Sequence, residues 1–228
     1  QVMKQENIYP IFEQIKSNDI ISAWLRNSYF ITKEMSLTEH GLKHAEFVSL
    51  RALDIAKGIG LNAKNQDLVL SASYTHDIGN FLSRTYHHYF GSMLLFDILR
   101  EKIDIKDLTI IMQAIANHDK EDMKLVHPVA AITVIADKSD VRRERVLETD
   151  LKKIQEDIHD RVNYSTIENK LTVNSQKKTI TLKLKIDTNV CPVMEYFEIF
   201  TSRMNYCRIS AEYLGYHFSL IINDFKLL

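Results

Sequence analysis

Residues 68–80 read LVLSASYTHDIGN, an apolar run that closes on the adjacent pair His76-Asp77 and is followed by Gly79. The run has the length and composition of a buried helix. An ionisable pair at its end needs cations or hydrogen-bond donors beside it, because an unpaired buried carboxylate is costly. Neighbours on a helix point about 100° apart, so two adjacent ligands converge best near a helix end. Gly79 is expected to make that end by taking a left-handed conformation.

Working outward, the pattern from about Pro10 to Val162 is helical, with apolar residues recurring at three and four and stops at Gly58, Gly60, Gly79 and Pro128. It predicts six or seven helices. Ser36 followed by Glu39 resembles a capping box, which would open a helix carrying His40 and His44 on one face and ending near Gly58. The next helix starts after Asn62 and reaches the His76-Asp77 pair. A fourth covers His87 to Lys102, and a fifth runs from about Asp107 to His118. A sixth starts at Pro128, which fits a first helical position, and continues through PVAAITVIADKSDVRRERV.

After Asp160 the period changes. ENKLTV, NSQKK and TITLKLKID alternate apolar and polar residues around a turn-rich break, the signature of a hairpin. A long helix from Pro192 to Leu214 follows, and YHFSLIIND reads as a third strand. The chain is thus expected to be mainly α, with residues 1–160 forming a helical metal-binding domain and 161–228 an α+β appendage with a small antiparallel sheet and a long helix.

Composition bounds the function. The 228 residues, 45% hydrophobic and 26% charged, suffice for a full core. Twenty-nine basic against thirty acidic residues leave a formal charge of -1, which offers no global attraction to a nucleic-acid polymer or an anionic membrane. Cys191 and Cys207 lack the close spacing of a thiolate metal knuckle or a redox pair, so a reducing, cytoplasmic setting is expected. No run approaches the roughly eighteen apolar residues of a membrane span, and the amino end, QVMKQENIYP, has no secretory pattern.

The chemistry lies in the separated residues His44, His76, Asp77, His87, His118 and Asp137. Imidazole nitrogen and carboxylate oxygen together suit first-row divalent metals, and a carboxylate has two oxygens with which to bridge a pair of them. Two choices stay open: His40 shares a face with His44, and His88 adjoins His87, of which only one can point squarely inward. Lys138 and Arg142 stand one turn apart in the sixth helix and are candidates for contacting phosphate, although Asp140 could instead tie them up in a salt bridge. Arg84, in the loop after the doublet, is a further candidate.

HAEFVSLRALDIAKGIGL, THDIGN, HHYFGSMLLFDIL, AIANHD and VIADKSDVRRERV, in this order between Glu39 and Val146, resemble the HD-domain superfamily of metal-dependent phosphohydrolases. The resemblance implies an HD-domain helical bundle. It makes His44 the first ligand, His76-Asp77 the doublet, Asp77 the bridge and Asp137 the closing aspartate, with His87 and His118 the two further histidines of the binuclear branch. Two divalent ions are implied, Fe or Mn foremost, with Mg, Zn and Ni as alternatives.

Asp77, Lys138 and Arg142 would then serve catalysis, the ions activating a water against a small phosphate ester such as a nucleotide. Members that cleave cyclic dinucleotides carry a lysine where Asn80 stands and a Gly-Tyr-Pro signature that is absent here, so that activity is not expected. A di-iron oxygenase of the same fold and a non-catalytic binding module are the alternative functions. A homodimer through the C-terminal unit is compatible with the sequence.

Overall fold

The computed structural model describes residues 8–120 and 122–228; the amino-terminal segment read above for a secretory pattern falls largely outside this range. Among the described residues the order is α1 (Pro10–Lys16), α2 (Asp19–Glu34), α3 (Leu42–Gly58), α4 (Ala63–Thr75), α5 (His87–Leu99), α6 (Ile105–Asn117), α7 (Pro128–Lys138), α8 (Leu151–Glu156), α9 (Ile158–Ser165), β1 (Thr166–Asn174), β2 (Thr179–Ile186), α10 (Val193–Tyr213), β3 (His217–Ile222) and β4 (Phe225–Lys226). The fold is mainly α with a small sheet. Among the described residues no helix is long and apolar enough to cross a membrane.

Helices α3, α4, α6 and α7 pack on one another and bury Val48, Ala52, Leu68, Val69, Ile111, Ile132 and Ile135. Their starts follow local chemistry. The Asn62 side chain accepts from Asn65 N at the head of α4, and Asp104 accepts from Lys106 N at the head of α6. Pro128 opens α7, where its missing amide proton is not needed.

Three local expectations are corrected. Ser36 does not cap α3: it takes a left-handed φ of 53°, and the helix starts at Leu42. Glu39 supplies the cap instead, its carboxylate accepting from Gly41 N and His44 N at 2.8 Å each, where the positive end of the helix dipole favours a negative charge. His40 therefore precedes the helix, its Nδ1 donating to Thr38 O at 2.5 Å.

The sixth predicted helix, α7, stops at Lys138 rather than continuing through Val146. Arg51 Nη1 and Asn169 Nδ2 both donate to Ser139 O at 2.8 Å, taking a carbonyl that a longer helix would have used. Gly79 is not left-handed either, the positive-φ glycines being Gly60 and Gly215. Space explains it: a Cβ there would lie 2.1 Å from His87 O and 2.8 Å from Gly91 N, so only glycine lets the turn after α4 touch the start of α5.

The sheet order is β1-β2-β3-β4. The hairpin β1-β2 pairs antiparallel, with Leu171 opposite Leu182. The sheet is nevertheless mixed rather than antiparallel, because α10 carries the chain back across one face and β3 pairs parallel to β2, Ile180 opposite Phe218 and Leu182 opposite Leu220. Ile180, Leu182, Leu184 and Ile186 of β2 are buried, as are Phe218, Leu220 and Ile222 of β3. Helix α10 packs on both β3 and α7. Residues of the sheet and of α10 belong to the same hydrophobic cluster as those of α3 to α7, and position 160 falls within α9.

Candidate metal centre

Five elements bring His/Asp side chains to one point. His44 comes from the first turn of α3, His76 is the C-cap of α4 and Asp77 opens the turn beyond it. His87 is the first residue of α5, His118 is the C-cap of α6, and Asp137 stands in the last turn of α7. All six are buried. Two histidines thus sit at helix C-termini, where the backbone dipole favours positive charge.

The orientation of the rings is fixed from behind. Nδ1 of His76 donates to Ser73 O at 2.7 Å, that of His118 to Ile115 O at 2.7 Å, and that of His87 to Arg84 O at 2.9 Å. His44 Nδ1 donates to Asp140 Oδ2 at 2.7 Å. With Nδ1 as the donor in all four rings, each ring when neutral has its lone pair on Nε2, the tautomer a metal requires.

These lone pairs face one another. His44 Nε2 and His76 Nε2 are 3.2 Å apart, as are those of His87 and His118. Asp77 Oδ2 lies 3.6 Å from His44 Nε2 and 3.5 Å from His76 Nε2, while its Oδ1 lies 3.0 Å from His87 Nε2 and 3.5 Å from His118 Nε2. Asp137 Oδ1 completes the first group at 3.3 Å from His44 and 3.5 Å from His76. A tetrahedral or octahedral shell with bonds of about 2.1 Å has edges of roughly 3.0–3.4 Å, so the donor set fits metal ions. Juxtaposed lone pairs without a cation would repel.

The electrostatics agree with that fit. Burial alone would raise the pKa of Asp77, but His76, His118 and His87 hold it well below the carboxylate range. Asp137 behaves alike, burial being outweighed by Lys138, His44 and His76. Burial pulls His118 down to about 4, whereas in His76 the same effect is overcome by Asp77 and Asp137, and its pKa is raised. The carboxylates are therefore ionised and His118 neutral, both in the form that binds a cation.

Of the choices left open, His87 rather than His88 reaches Asp77. His88 is buried alongside, and its Nδ1 has no partner among the described residues. His40 lies near the group, its ring centroid 5.6 Å from that of His44. Lys138 does reach the centre, its Nζ 3.0 Å from Asp137 Oδ2 and 2.5 Å from Asp119 Oδ1. Arg142 does not: with α7 ended, it is no longer one helical turn from Lys138, and its guanidinium bonds Asp140 and lies 3.5 Å from the Phe47 ring centroid. Arg84 stands at the mouth, 30% exposed, with Nη1 3.7 Å from Asp77 Oδ1 and bonded to Asn80 Oδ1 at 3.1 Å.

Sequence reasoning missed Asp119 and the orienting role of Asp140. Asp119 forms a possible metal-holding group with His87 and His88, and its position directly after His118 was a signal of the same kind as the His76-Asp77 doublet. Asp140 had no such signal, since its bond to His44 joins segments 96 positions apart.

Fold and site together define a mainly helical protein with a buried His/Asp cluster able to hold metal ions. No family model matches the chain. It is similar to an uncharacterized protein of Methanocaldococcus jannaschii, 24% identical over 222 residues, covering 87% of this chain and 84% of that protein.

Proposed function

We propose that this protein is a metal-dependent phosphohydrolase of the HD-domain type that holds two divalent ions and hydrolyses a small phosphate ester. The observation that carries the reading is the division of Asp77: Oδ2 faces His44 and His76, and Oδ1 faces His87 and His118. A carboxylate so placed has one oxygen available to each of two ions. The first would be held by His44, His76, Asp77 and Asp137, the second by His87, His118 and Asp77.

When bound, such a pair lowers the pKa of a shared water and neutralises charge on the leaving oxygen. In the net reaction the water oxygen bonds to phosphorus, the ester P–O bond breaks, and the alcohol leaves with a proton from that water. The chain's own part is positioning. Lys138, whose pKa is raised because Asp137 and Asp119 outweigh its burial, keeps both carboxylates ionised and in place. Arg84 at the mouth presents a guanidinium to incoming phosphate oxygens.

The test is elemental analysis of protein purified without added metal, together with a phosphoester panel. Two equivalents of metal and metal-dependent phosphate release are expected, with Asp77→Ala losing both metal and turnover by at least about 100-fold. One equivalent or none would overturn the two-ion reading. Iron with oxygen uptake and no phosphate release would move the protein to the oxygenases, and retained metal without turnover to binding modules.

A further inference from the structure

We infer that Arg203, carried on α10, forms part of the wall of the metal centre and binds the terminal phosphate of the substrate. This rests on the phosphohydrolase reading and extends it to the C-terminal unit, which the ligand set alone does not involve.

Helix α10 packs along α7, the helix that supplies Asp137 and Lys138. Met204, Cys207 and Ala211 of α10 are buried in the shared core, and Cys207 Sγ lies against Ile135 O at 4.0 Å. Arg203 is one helical turn before Cys207, so it projects from the same side. Ile135, against which Cys207 lies, is two residues before Asp137 on α7, so this side of α10 faces the helix that carries Asp137 and Lys138. Burial depresses its pKa, and the nearby carboxylates oppose that shift.

What distinguishes Arg203 from the other cations is that it is unengaged. Lys138 is bonded to Asp119 and Asp137, and Arg84 to Asn80. Arg145 donates to Glu39 O and Asp140 O. Arg203 lies over the Phe200 ring at 4.8 Å and has no hydrogen bond or ion pair among the described residues. A guanidinium offers five donors in a rigid fork, and those of Arg203, half-buried and not sealed from solvent, are free to exchange water for an anion. An anion entering the centre would satisfy them. The planar fork matches two phosphate oxygens at once, and the aromatic ring behind it limits its freedom before binding.

The ligand class follows from the count of oxygens. A terminal phosphate has three oxygens beyond its ester bond, enough to face both the ligand cluster and a fork on the opposite wall. An internal diester has two. Arg203 therefore favours phosphate monoesters and related terminal phosphates over diesters.

Calorimetric titration of the metal-loaded full chain with inorganic phosphate tests this directly. Arg203→Ala is expected to weaken phosphate binding about 10–100-fold, the usual range for a lost charged hydrogen bond. Metal content should match wild type. Arg203→Lys, which keeps the charge and loses the fork, should fall between the two, and it carries the test if the alanine variant does not fold. Wild-type affinity in both variants would overturn the role of Arg203 while leaving hydrolysis intact. A wild-type protein that neither binds phosphate nor hydrolyses any phosphoester would overturn the phosphohydrolase reading, and this inference with it.

Discussion

Asp140 is fully buried and is shared between His44 and two arginines. It accepts from His44 Nδ1 at 2.7 Å and from Arg142, and Arg145 Nε lies 3.7 Å away. Burial by itself would raise its pKa; His44, Arg145 and Arg142 instead hold it far below the ordinary carboxylate value. A group whose folded pKa is depressed contributes stability above its unfolded value of about 3.9 and loses it as pH falls toward the folded value. Asp140→Asn, compared with wild type in metal-free protein by urea denaturation, should therefore cost about 3 kcal/mol at pH 7. The gap should narrow below about pH 4. A difference that stays constant from pH 7 to pH 3 would contradict this account. The same substitution leaves a single oxygen where His44 and Arg142 each use one and puts an amide donor at the other position, which weakens the hold on the His44 tautomer, so metal affinity should fall about 10–100-fold.

At the scale of elements, the contact between the turn after α4 and the start of α5 decides where the second half of the centre lies. Gly79 N is 3.2 Å from where a Gly91 Cβ would be, and a Gly79 Cβ would strike His87 O. Gly79→Ala forces backbone apart at His87, whose ring belongs to the His/Asp cluster. It should lower stability by about 3 kcal/mol, a fall of roughly 6–12 °C in thermal midpoint. The loss of metal should be greater at the His87-His118 group than at His44-His76. A variant with the wild-type midpoint and full metal content would show that the close approach is not required.

This is also the scale at which the sequence was most and least legible. Asn62, Gly58 and Pro128 mark helix ends by chemistry within a few residues, and the structure has ends there. The β1-β2 hairpin was legible for the same reason. The end of α7 was not, because the groups that take Ser139 O come from α3 and β1. Nor was the parallel pairing of β3, whose partner is chosen by how α10 crosses the sheet. Convergence of the six His/Asp residues could be anticipated from their order and from a family resemblance. The Asp140–Arg142 pair was legible as an alternative because the two residues lie two positions apart, whereas the placement of α10 against α7 depends on tertiary packing that no local pattern records.

For the whole molecule, one hydrophobic cluster extends from α1 through the helical bundle to the sheet, so a change at the centre should be felt throughout. Ligands that bind the folded state alone stabilise it by mass action, by about 4 kcal/mol when free ligand is a thousand times its Kd. Chelation should accordingly lower the thermal midpoint of wild type by roughly 8–16 °C. It should leave Asp77→Ala unchanged, since that variant has no bridging group to hold the ions. Differential scanning calorimetry with and without chelator measures both, and an equal shift in the two proteins would mean that the effect lies elsewhere.

The placement of Arg203 on α10 has a consequence in time. Chains are made from the amino end at about 5–20 residues per second, and the residues from His44 to Asp137 all precede the hairpin and α10. A nascent chain therefore exposes the full set of His and Asp donors seconds before α10, with Arg203, has been made. On the function proposed above, metal loading and substrate recognition would be separated in the order of synthesis, the ion-holding residues being made first and the residue proposed for selectivity last.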